Sequence, residues 1–128
     1  MLINGRNEGT RLSYVDVDNL RGGELAANYL LDLGHRRIGI VTGGSLVINA
    51  RHRLEGYLRA LAARRIPVRD DWIYEGNWSE DSGYAGLQRF LSLKEWPSAI
   101  ICCNDLMAIG AIRAAADRGI VVPEEISV

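Results

Sequence analysis

At 128 residues, with 48% hydrophobic and 24% charged residues, the chain has the size and composition of one globular domain able to bury a core. Lys and Arg total 15 against 16 Asp and Glu, and the formal charge of -1 gives this stretch no electrostatic footprint for nucleic acid or for an anionic membrane. No apolar run approaches the roughly 18 residues that cross a bilayer, and the N-terminus lacks a signal-peptide pattern, so the expectation is a soluble, cytoplasmic protein without a membrane partner.

In chain order, Met1-Leu2-Ile3-Asn4 reads as the tail of a strand, residues 5–9 as a polar turn and residues 11–18 as an alternating strand. Asp18 or Asn19 is expected to cap a helix over about residues 20–33, with Ala26, Ala27, Leu30 and Leu31 inward and Gly34 as its left-handed stop. His35 follows that stop and reads as a surface or capping residue. Ile38-Gly39-Ile40-Val41 is a buried strand that opens into Thr42-Gly43-Gly44-Ser45, a loop that permits close backbone approach but lacks the lysine of a phosphate-binding loop. The next helix carries Leu54, Tyr57, Leu58 and Leu61 on one face and stops at Ile66-Pro67.

Residues 72–78 predict a third strand, aromatic at both ends, and Ser79 caps a helix with Glu80 and Asp81 in its first turn. Tyr84, Leu87 and Leu91 form the inner stripe of that helix, and Trp96-Pro97 closes it. Ser98-Ala99-Ile100-Ile101-Cys102-Cys103 is a continuous apolar run, the mark of a strand buried on both faces, and after Asn104-Asp105 an Ala-rich helix runs to about residue 116. Adjacent cysteines in a strand point to opposite faces, so Cys102 and Cys103 read as small buried hydrophobes. Residues 126–128 begin another strand, and the chain reads as an excerpt of a longer parent at both ends.

Alternating strands and helices imply βαβ units, an α/β fold with a parallel sheet flanked by helices on both faces. Ligands of such sheets bind outside the carboxyl ends of the strands, where Asn104 and Asp105 stand. No nucleophile motif, metal-ligand spacing or carboxylate pair supports catalysis, a metal or a cofactor. The expectation is a binding domain and not an enzyme.

Six segments in order carry a family resemblance: Val17-Asp18-Asn19 with Gly22-Gly23; Leu33-Gly34-His35-Arg36-Arg37-Ile38; Ala50-Arg51-His52-Arg53-Leu54-Glu55-Gly56-Tyr57; Glu75-Gly76-Asn77-Trp78-Ser79 with Ser82-Gly83; Cys103-Asn104-Asp105-Leu106-Met107-Ala108-Ile109-Gly110; and Val122-Pro123-Glu124-Glu125-Ile126-Ser127-Val128. Together they resemble the LacI/GalR family of transcriptional regulators. The resemblance implies a periplasmic-binding-protein-like core of two subdomains that close on a small effector. Residues 1–18 would be the tail of the first subdomain with the crossover, and residues 19–128 most of the second, truncated at both ends. Operator DNA would be read by a helix-turn-helix domain outside this stretch. The implied effector is a sugar or a nucleobase, sensed allosterically by a homodimer; a periplasmic sugar receptor of the same fold is the alternative.

The resemblance also implies roles for single residues. Arg53 matches the family's ligand arginine, whose fork of donors suits hydroxyl or carboxylate oxygens, and Asn104 its strand-end amide. Trp78 fits a stacking platform for a sugar or base. Asn49 and Asp18 are further effector candidates, while Ser45 reads as solvated loop and Asp105 as a helix cap. The competing readings are a solvated helix charge for Arg53, a cap for Asn104 and for Asp18, and core packing for Trp78. Ile109, Ile112 and Arg113 are candidate dimer contacts, against packing within the subunit.

Overall fold

The computed structural model describes residues 1–3 and 12–128, so the turn expected over residues 5–9 lies outside the described residues. β1 (Leu2–Ile3) and β2 (Tyr14–Val15) form a short parallel pair with Leu2 opposite Tyr14. The strand expected up to Asp18 stops at Val15. From Asp16 onward side chains claim the nearby backbone donors, Asp16 Oδ1 bonding Val17 N at 2.9 Å and Asp18 Oδ1 bonding Arg21 N at 2.9 Å, which favours a turn and cap over a ladder.

Asp18 thus caps α1 (Asn19–Asp32), and Gly34, with φ at +95°, supplies the left-handed stop. Then follow β3 (Ile38–Thr42), α2 (Ile48–Ala63), a 3-10 turn (Asp70–Trp72), β4 (Ile73–Glu75), α3 (Glu80–Leu91), β5 (Ala99–Cys102) and α4 (Asp105–Asp117). β3 is central in a parallel sheet of order β4-β3-β5, with Ile40 opposite both Ile73 and Ile101. The expected last strand is a single parallel bridge between Ser127 and Ala99, held by Ile100 N donating to Ser127 O at 2.7 Å. His35 is part-buried at that edge, not on the surface: Nδ1 lies 2.9 Å from Ser98 Oγ and Nε2 lies 3.3 Å from Ser127 Oγ.

Period-two alternation along the strands divides the core into two layers. Ile38, Ile40, Ala99 and Ile101 pack with Ala27 and Leu31 of α1 and with Tyr57, Ala60 and Leu61 of α2. Val41 and Ile100 pack on the other face with Leu87, Phe90, Met107, Ala111 and Ala114 of α3 and α4. Each buried Val, Leu, Ile, Phe or Met side chain among these contributes about 1.5–3 kcal/mol on burial. Phe90, missing from the expected α3 stripe, is fully buried, while Tyr84 is half-buried and reaches Asp117 with its hydroxyl at 3.1 Å.

Glycines set how closely each helix pair crosses. A Cβ on Gly23 would strike the carbonyl of Arg53, and one on Gly56 the carbonyl of Leu20; on the other face, Gly83 abuts the Met107 carbonyl and Gly110 that of Glu80. Both crossings lie near helix N-termini or beside Arg53. They therefore draw together the residues at the carboxyl end of the sheet.

Three further expectations move. The third strand is only Ile73–Glu75, because Gly76 N makes the last bond to Thr42 O at 2.8 Å and the chain then turns into the Ser79 cap. α2 ends at Ala63, before Ile66-Pro67, with Arg65 in the left-handed region at φ +55°. α4 is capped by Asn104, not Asp105: Asn104 Oδ1 accepts from Met107 N at 3.0 Å. Cys103 is buried and Cys102 half-buried, and burial pushes the Cys102 thiol up to about 12, so it stays uncharged at neutral pH. No helix among the described residues is long and apolar enough to cross a membrane.

Candidate functional site

The carboxyl ends of β3, β4 and β5 form one rim, and most of the candidate residues stand on it. On the α1–α2 side, Arg53 projects from the Gly23–Gly56 crossing. Its Nε donates to Asn19 Oδ1 at 2.8 Å and its Nη1 donates to the Cys103 carbonyl just past β5. Nη2 has no protein partner among the described residues. Asn19 is buried, and its Nδ2 donates to Asp16 Oδ1 at 3.2 Å and to Val17 O at 3.1 Å. Asn49, also buried, joins at Asp16 Oδ1 with an Nδ2 contact of 3.5 Å. A cleft of about 310 Å³ opens beside this network, lined by Asp18, Asn19, Gly22, Gly23, Arg53 and Tyr57 among others. Burial raises the Tyr57 hydroxyl well above its ordinary value, so it remains protonated, a neutral donor or acceptor.

On the α3–α4 side stand Trp78 and Asn104. The Asn104 amide bonds twice within the protein: Oδ1 caps α4, and Nδ2 donates to the Trp78 carbonyl at 2.9 Å. Trp78 is half-buried with φ at +71°, a conformation that costs a bulky residue about 1–3 kcal/mol and persists where the surroundings enforce it. Its indole lies over Gly43. The following turn is pinned by Asn77 Oδ1, which accepts from Ser79 N at 3.2 Å, and by Ser82 Oγ, which accepts from Asn77 N at 3.1 Å. Ser45 is exposed in the loop, as expected, and from there it clasps Glu75: its N and Oγ donate to Glu75 Oε1 at 2.9 and 3.0 Å, the backbone bond first and the hydroxyl next holding that carboxyl below its ordinary value.

Arg53 and Asn49 thus meet through Asp16 and Asn19, Asp18 caps α1 at the mouth of the cleft, and Trp78 and Asn104 meet each other. The dipeptide Cys103-Asn104 joins the two groups. Ile109 and Ile112 lie away from the rim, about half exposed on α4, whereas Arg113 is engaged within its own subunit by Glu80 and Asp81 over the Tyr84 ring. Sequence reasoning missed Asn19 as the partner of Arg53. The available signal was polarity: Asp16, Asp18 and Asn19 crowd a helix start that needs only one cap. The Arg53 side offers a cation, an amide and a carboxylate beside its cleft, and the Trp78 side an indole and an amide, groups that suit a small polar ligand. Among the described residues no cluster of His, Cys, Asp and Glu could hold a metal ion.

The fold and this rim define a ligand-binding domain of the periplasmic-binding-protein class, and a family model for "Periplasmic binding protein-like domain" matches residues 27–128. The chain belongs to that family, in the branch made of the effector-binding domains of LacI/GalR transcriptional regulators. It is 37% identical over 113 residues to an HTH-type transcriptional repressor PurR of Mannheimia succiniciproducens, covering 88% of this chain and 34% of that protein. It is 42% identical to a PurR of Yersinia pestis, covering 88% and 33%. A sugar-binding LacI-family regulator of Escherichia coli, solved with phosphate, superposes with a TM-score of 0.91 at 34% identity, over 100% of this chain and 46% of the other. A CelR–cellobiose complex superposes at 0.90 and 34% identity, over 97% and 39%. The chain therefore spans about a third of the length of the curated relatives it matches. Those relatives are named as repressors, not enzymes.

Proposed function

We propose that this chain forms one wall of the effector cleft of a cytoplasmic LacI-type transcriptional regulator. Residues 19–128 supply that wall, and residues 1–18 lead from the opposing subdomain. The effector is a sugar-like molecule, with a nucleobase as the second class. It binds between Arg53, with its open Nη2, and the Trp78 indole, while Asn49, Asp18 and Asn104 line the approach. The observation that supports this reading is the cleft lined by Asp18, Asn19, Arg53 and Cys103 at the end of β5, one residue along the chain from the Asn104 amide that holds Trp78. Relatives named as PurR, and structures named as sugar-binding or solved with cellobiose, support the regulator over the periplasmic receptor and keep both effector classes in view.

In the regulator, effector shifts the balance between two arrangements of the subdomains by its differential affinity for them, and operator DNA is held by a helix-turn-helix domain outside this stretch. Two subunits pair in part through the exposed Ile109 and Ile112 of α4, with Arg113 at the border. Calorimetric titration of the regulator with mono- and disaccharides and with purine bases tests the cleft. Heat with one class that vanishes in Trp78→Ala upholds it; equal heat in the variant removes it.

A further inference from the structure

Among the described residues of the rim, Trp78 is the one non-glycine in the left-handed region, with φ at +71°. It packs against the buried cluster of the α3–α4 face, and two further contacts come from other strand ends. Asn104, after β5, donates Nδ2 to the Trp78 carbonyl at 2.9 Å while its Oδ1 caps α4 at Met107 N. Gly43, after β3, lies under the indole, where an added Cβ would meet Cε2 at 2.6 Å and Cη2 at 2.8 Å. Capping alone does not require asparagine: aspartate or serine caps a helix as well. A carboxylate has no donor and a serine hydroxyl carries both functions on one atom, whereas the amide separates them, so Oδ1 faces the helix while Nδ2 reaches the carbonyl.

We propose that Asn104 and Gly43 are positioning residues for Trp78: the Asn104 amide holds its carbonyl, the bare Gly43 backbone seats its indole, and the ends of β5 and β3 thereby set the tilt of the ring in the cleft. The inference rests on the proposed function, in which Trp78 is a ligand platform, and gives Asn104 a different part in it. With its acceptor on α4 and one donor on Trp78, the amide acts on a ligand through the indole. It also links the platform to the start of α4. A wrong residue at 43 or 104 would change the selectivity of the cleft without touching the ligand.

The test labels the protein with 5-fluorotryptophan and reads the fluorine resonances of Trp72, Trp78 and Trp96, the second assigned by its loss in Trp78→Phe. Asn104→Asp and Asn104→Ser keep a cap for α4 and lose the Nδ2 that reaches Trp78, serine's one hydroxyl oxygen being a bond shorter and taken by the helix, so both should melt close to the parent protein. In each, the Trp78 resonance should move by more than its linewidth and gain a larger solvent isotope shift, while Trp72 and Trp96 hold still. Gly43→Ala should displace the same resonance from the other side. A Trp78 resonance unmoved in folded Asn104→Asp and Asn104→Ser overturns the proposal. No ligand is present in these spectra, so the cleft is tested separately by adding cellobiose or adenine to the parent protein. A Trp78 signal that moves in the variants but ignores both compounds upholds the positioning and counts against the ligand reading.

Discussion

Arg53 reaches from the middle of α2 to the main-chain carbonyl of Cys103, fifty residues along the chain, and that bond joins the helical wall of the cleft to the end of β5. The same guanidinium holds the buried Asn19 Oδ1. Arg53→Ala leaves both acceptors without their donor in a part-buried place, and the expected cost is about 1–3 kcal/mol. Urea unfolding reads it directly. A variant within about 0.5 kcal/mol of the parent, the usual range for an exposed surface substitution, would return Arg53 to a solvated helix charge.

The helical glycines separate into two kinds with opposite signs. Gly83→Ala or Gly110→Ala drives a Cβ into the carbonyl of Met107 or Glu80, rigid backbone that must shift, and should destabilise by roughly 1–3 kcal/mol. Gly22 sits in α1 with nothing within 4 Å of an added Cβ, so Gly22→Ala should stabilise by about 0.4–1 kcal/mol through the unfolded chain. Thermal melts of the three variants check the ordering, and a Gly110→Ala protein as stable as the parent would contradict the close crossing.

Acid should loosen the loop after β3. Ser45 holds the folded Glu75 carboxyl below its unfolded value, so the pair contributes fully above about pH 4.3, the ordinary glutamate value, and its contribution is lost as pH falls through the lowered folded value. In Glu75→Gln that acid-side slope should flatten. Stability measured from about pH 6 down to about pH 3 in both proteins gives the comparison, and parallel curves would show that the clasp contributes nothing.

Ile109 projects from α4 with about half its surface exposed, whereas the glycine seam faces α3. Ile109→Asp should leave the stability of the subunit within about 0.5 kcal/mol, as an exposed position allows. The same change should weaken the dimer of the regulator. Sedimentation velocity across a dilution series measures it, and an unchanged dimer constant would move the interface elsewhere.

Much of the fold was legible because its signals are local. The cap at Asp18, one of two residues open for it, the stop at Gly34, the Ser79 cap and the apolar run of β5 each depend on a handful of neighbouring residues, and each stands within the pattern. Phe90 escaped notice and Tyr84 was overvalued because the width of a buried stripe depends on how closely the next helix approaches. That distance is set by Gly83 and Gly110, on different elements. The expected strand at residues 72–78 ends early for a related reason: aromatic residues suit a strand, but the bonds among Asn77, Ser79 and Ser82 turn the chain, and Asn104, far along it, holds the Trp78 carbonyl.

What the sequence by itself determined is the order of strands and helices, the two apolar layers and the placing of polar residues after strand ends, since periodicity and capping act within a few residues. What only the tertiary structure decided is who holds whom on the rim. Asn19 meets Arg53 across 34 residues and Trp78 meets Asn104 across 26, and no local pattern encodes such pairs. They follow from two helix crossings and a sheet order, where an amide with both a donor and an acceptor can bond whichever partners the packed chain brings within about 3 Å.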